Sequence, residues 1–86
     1  MAPCEVTLAR SARKELERLQ EPLLSRVFRR IEALGSNPRP RGCRKLEGAE
    51  DLWRIRIGDY RVIYSIDASR RLVDISAIRP RSEAYR

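Results

Sequence analysis

The sequence predicts an α+β domain, a small antiparallel β-sheet packed against an N-terminal helical hairpin. Three observations lead there. Apolar residues recur at helical spacing between positions 12 and 34. Three runs rich in Ile, Val, Leu and aromatics crowd into positions 52–78. Turn residues punctuate the junctions between them. A short strand, two helices and then three or four strands is the order that gathers helices on one face of an antiparallel sheet.

Each element has a local reason. Cys4-Glu5-Val6-Thr7-Leu8 alternates apolar and polar and reads as a short half-buried strand. Ser11 is placed to cap a helix in which Ala12, Leu16 and Leu19 share one face. Glu21-Pro22 breaks that helix, and Pro22 suits the first turn of a second. Leu23, Leu24, Val27, Phe28, Ile31 and Leu34 form its apolar stripe, and Gly35 is expected to stop it, with Pro38 soon after. Helices so close in sequence pack as an antiparallel hairpin. Residues 36–43 hold two prolines and a glycine and read as a loop. Arg44 to Glu47 reads as a short strand, followed by strands over Leu52–Ile57, Tyr60–Ile66 and Leu72–Ile78.

Composition narrows the function. The 86 residues suffice for one domain, spanning 1–86. A hydrophobic content of 42% supports a folded core and argues against disorder. No run approaches the roughly 18 apolar residues of a membrane span, and the N-terminus lacks a secretory signal. We therefore expect a cytoplasmic protein with no membrane partner. Two cysteines, Cys4 and Cys43, are too few for a disulfide scaffold, and the absence of histidine removes histidine-based catalysis and most zinc patterns. No metal or cofactor is expected. The net charge of +7 points to nucleic acid, an anionic membrane surface or an acidic protein. Among the 19 basic residues only Lys14 and Lys45 are lysine, and arginine's planar fork suits phosphate.

The informative segment runs from Leu52 to Tyr64. With Gly58-Asp59 as a two-residue type II′ turn, Ile57 faces Tyr60, Arg56 faces Arg61, Ile55 faces Val62 and Trp53 faces Tyr64. Trp53, Ile55, Ile57, Tyr60, Val62 and Tyr64 then share an apolar face, and Arg54, Arg56 and Arg61 emerge together on the other. Opposed like charges destabilise a strand pair, and no carboxylate on these two strands shares that face. A converging arginine cluster on a rigid sheet reads as a phosphate site. Farther on, Pro80 ends the last strand, Arg79 and Arg81 stand at its rim, and Tyr85 adds an aromatic ring. Arginines beside an aromatic suit flexible RNA, whose bases stack while its phosphates bind cations.

These residues carry a resemblance. The Ala12…Leu16…Leu19 helix, Asn37-Pro38, Lys45-Leu46-Glu47-Gly48, the Leu52–Tyr64 hairpin and Arg79-Pro80-Arg81-Ser82-Glu83-Ala84-Tyr85 resemble the RelE/ParE toxin superfamily, from about Val6 to Tyr85. The resemblance implies a toxin of a type II toxin–antitoxin system, neutralised by a small acidic cognate antitoxin, with operator DNA bound only through the antitoxin complex. Its RelE branch implies a ribosome-dependent endoribonuclease that cuts mRNA in the ribosomal A site. Carried over, Arg56, Arg61, Arg79 and Tyr85 are the expected catalytic set, and Arg54, Arg81 and Lys45 the expected phosphate binders. The best-known member has lysines where Arg54 and Arg56 stand, and arginine, which does not readily give up its proton, is a poor general base. The implied chemistry is metal-independent attack by the RNA's own 2′-hydroxyl, leaving a 2′,3′-cyclic phosphate. Two other readings stay open: a ParE-like poison of DNA gyrase, and a non-catalytic co-repressor acting with its antitoxin.

Overall fold

A computed structural model describes residues 3–48 and 51–81. The elements are β1 (Glu5–Leu8), α1 (Arg10–Glu17), α2 (Leu23–Ser36), β2 (Arg44–Lys45), β3 (Leu52–Ile57), β4 (Tyr60–Asp67) and β5 (Leu72–Pro80). They form one sheet in the order β1-β5-β4-β3-β2. The predicted layout of a helical pair over a sheet is what the chain adopts. Its strands from β2 to β5 are antiparallel, as expected, but β1 joins the edge of the sheet parallel to β5, with Val6 opposite Val73 and Leu8 opposite Ile75. The connection from β1 to β5 runs through both helices and β2–β4, long enough for the crossover that a parallel pairing requires.

The core lies between the helices and one face of the sheet. Ala12 and Leu16 of α1 and Val27, Ile31 and Leu34 of α2 pack with Ile55, Ile57, Val62, Tyr64, Val73, Ile75 and Ile78. Buried Tyr64 directs its hydroxyl out of this core to donate to the Pro38 carbonyl at 2.7 Å. Arg39 lies over the Trp53 ring, 5.1 Å from its centroid. These two contacts pin the loop before β2 onto the sheet.

Four local expectations are corrected. Ser11 does not cap α1. The helix starts at Arg10 after Ala9, and the Ser11 hydroxyl donates instead to the Ser76 carbonyl at 3.3 Å. Gly35 does not stop α2, which runs on to Ser36. A Cβ at position 35 would lie 2.8 Å from the Cys4 carbonyl oxygen, so this glycine lets α2 approach the start of β1. Phe28 leaves the apolar stripe and is 47% exposed beside a groove between α2 and β1 of about 650 Å³. Arg44 and Lys45 alone form β2, two residues shorter than the predicted strand. Among the described residues no helix is long and apolar enough to cross a membrane.

Candidate nucleic-acid interface

The hairpin has the predicted register: Trp53↔Tyr64, Ile55↔Val62, Arg56↔Arg61 and Ile57↔Tyr60. Gly58 has φ +59°, whereas Asp59 is not among the residues with positive φ, as a type II′ turn requires. β5 continues the pattern, because Arg79 lies opposite Arg61. Arg56, Arg61 and Arg79 therefore form one row across three adjacent strands. Neighbouring strands lie about 4.8 Å apart, so the row spans roughly 10 Å of sheet. Alternation puts it on the face opposite buried Ile55, Val62 and Ile78.

One pleat repeat away, Arg54 faces Ile63 on β4 and Arg44 on β2. Arg44 is a further basic residue at this level of the sheet. Its place beside Arg54 depends on the pairing of a two-residue strand, and no periodicity marks so short an element. Lys45 pairs with Trp53 and so belongs to the other pleat face, apart from the arginine rows. Arg81 is exposed at the hairpin end, where its backbone N–H donates to the Asp59 carbonyl at 2.7 Å. Tyr85 lies outside the described residues.

Burial divides the cluster. Arg56 and Arg79 are exposed, whereas Arg61 retains 5% and Arg54 9% of their accessible surface. Arg61 sits on the central strand and has a paired strand on either side. The lower local dielectric strengthens its attraction for an incoming phosphate.

Glu15 of α1 is a further member of the site. β1 ends its pairing at Ile75, so the later N–H groups on that edge of β5 have no strand to meet. Glu15 fills the gap. One carboxylate oxygen, Oε1, accepts the Ile78 N–H at 2.9 Å, and Oε2 accepts from Arg79 Nε at 3.0 Å. A separation of 63 residues between Glu15 and Ile78 hid this contact from any local pattern.

A family model described as the ParE toxin of the type II toxin–antitoxin system parDE matches residues 6–85. Toxin RelE of Mycobacterium tuberculosis is 34% identical over 85 residues, covering 98% of this chain and 88% of that protein. Among solved structures, a chain of the archaeal RelE–RelB complex from Pyrococcus horikoshii superposes with a TM-score of 0.81 at 34% identity, over 94% of this chain and 97% of that one. The toxin–antitoxin complex RelBE2 from Mycobacterium tuberculosis gives 0.83 at 27% identity, with 95% of each chain covered. With the arginine-bearing hairpin inside the matched span, the chain belongs to the RelE/ParE superfamily of type II toxin–antitoxin toxins.

Proposed function

We propose that this toxin is a metal-independent endoribonuclease that cuts mRNA in the ribosomal A site. The observation that carries the reading is the row Arg56–Arg61–Arg79 across β3, β4 and β5. Attack by a 2′-hydroxyl on the adjacent phosphorus forms a 2′,3′-cyclic phosphate and breaks the bond to the 5′-oxygen. The proton leaves the 2′-hydroxyl, and another must reach the departing 5′-oxygen. The dominant electrostatic demand is extra negative charge at phosphorus. Guanidinium groups held on a rigid sheet meet that demand without reorganising. Arg61 and Arg56 bind the scissile phosphate, and Arg79 stabilises the transition-state charge. Arg54 and Arg81 hold neighbouring phosphates, with Lys45 a more distant contact. Tyr85 stacks on a base and orients the 2′-hydroxyl.

Arginine is a poor proton acceptor, so activity on free RNA is expected to be weak. The ribosome supplies the positioning, which can be worth several kcal/mol. The partners follow from charge and kinship. The two solved relatives named above are toxin–antitoxin complexes, and a +7 chain suits an acidic cognate antitoxin laid over the arginines. Operator DNA is reached through that complex.

The family model is described for ParE, and this favours a second reading: inhibition of DNA gyrase without chemistry by the toxin itself. Programmed ribosomes incubated with purified toxin separate the two. The ribonuclease reading expects cuts within the A-site codon and a 3′ end that resists phosphatase until acid opens the cyclic phosphate. Intact mRNA together with inhibited DNA supercoiling would transfer the assignment to gyrase.

A further inference from the structure

We propose that Glu15 is a positioning residue for Arg79, holding its guanidinium at the edge of the arginine row. The inference rests on the ribonuclease reading above and extends it to a residue on α1. Arg79 stands near the end of β5, past the stretch that β1 covers. A long side chain at such an edge has many rotamers available. Glu15 removes that freedom from two directions. Its Oε1 is tied to the backbone N–H of Ile78, the residue next to Arg79, and its Oε2 takes the Arg79 Nε–H. The carboxylate is thus anchored to the strand it serves.

Partial burial favours this arrangement. The Glu15 side chain is 23% exposed and that of Arg79 47%. Glu15 lines a small recess with Leu19, Tyr60, Ile78 and Pro80, which limits its own rotamers. Arginine has five N–H donors. Engaging Nε leaves the four donors on the two terminal nitrogens, whose paired edge matches two phosphate oxygens. Glu15 also places a negative charge behind the row, which offsets part of the repulsion between Arg61 and Arg79.

The test is a double-substitution cycle on programmed ribosomes. Glu15→Gln keeps an amide oxygen for the Ile78 N–H and removes the charge from Arg79. It should slow single-turnover cleavage by about 10- to 100-fold, the scale of a misplaced reacting group, with toxin–ribosome affinity unchanged. In an Arg79→Ala background the same substitution should slow cleavage no further. Thermal melts of each variant establish that it is folded. Should Glu15→Ala unfold the chain, the Gln variant still decides the question. An unaltered single-turnover rate for Glu15→Gln, a loss confined to ribosome affinity, or an equal loss on top of Arg79→Ala would each overturn the inference. Full cleavage by Arg79→Ala itself would instead overturn the role given to Arg79 in the functional reading, and the inference with it.

Discussion

Arg61 sits between Arg56 and Arg79 at the centre of the sheet and is almost fully enclosed. Its identity as a candidate was legible from residue type and turn register alone. Its burial was not, because burial depends on what flanks β4 on both sides. Tyr64 poses a similar problem. Alternation marked it as a core residue, but nothing local named the Pro38 carbonyl as its acceptor. Burial is the main reason its hydroxyl holds its proton well above the usual tyrosine range. Tyr64→Phe should cost about 1 kcal/mol near neutral pH through the lost hydrogen bond. For a domain of this size that is a drop of roughly 4–8 °C in Tm. The sign of the pH effect follows from the raised folded pKa. Stability is present below the unfolded tyrosine pKa of about 10 and is lost as pH rises beyond it, since only the unfolded chain readily gives up the proton. Urea unfolding of both proteins between about pH 8 and pH 11 should therefore show their stability difference shrinking as pH increases. A difference that stays constant or widens would contradict this account.

At the level of elements, the hairpin was the most legible part of the fold. A two-residue turn opened by glycine sets the register of both strands, and a slip of one residue would exchange the arginine and core faces. The helices were legible as periodic segments but not at their boundaries. Gly35 shows why. Read alone it is a stop signal, yet α2 continues through it because β1, far earlier in the chain, needs the space. Gly35→Ala gains helix propensity and forces its Cβ against the Cys4 carbonyl oxygen. Overpacking of this kind costs about 1–3 kcal/mol, more than the propensity gain. The variant should melt lower than wild type in a calorimetric scan. An unchanged or higher Tm would mean that α2 can move away from β1 at little cost.

For the whole molecule, the α+β class and helical pair followed from element order. The parallel β1–β5 pairing did not, because it joins the two ends of the chain and leaves no trace in local spacing. The same long-range closure brings Glu15 to Arg79. The charge was fully legible, and it has a consequence for binding. Toxin–mRNA affinity on the ribosome should fall with salt as condensed ions return to the phosphates. Arg56→Ala, which removes one exposed cation from the row, should flatten the log–log salt dependence by about 0.7 if that side chain contacts a single-stranded phosphate. An unchanged slope would place Arg56 away from the RNA backbone.

The central claim is that the arginine row performs ribosome-dependent cleavage. Primer extension on a translated mRNA after induction tests it most directly, with wild type, Arg61→Ala and Arg79→Ala compared with and without ongoing translation. The account predicts translation-dependent cuts within codons for wild type, and cutting reduced to a small residual level in both variants while each remains folded. Growth arrest over intact mRNA, or wild-type cutting by both variants, would contradict it.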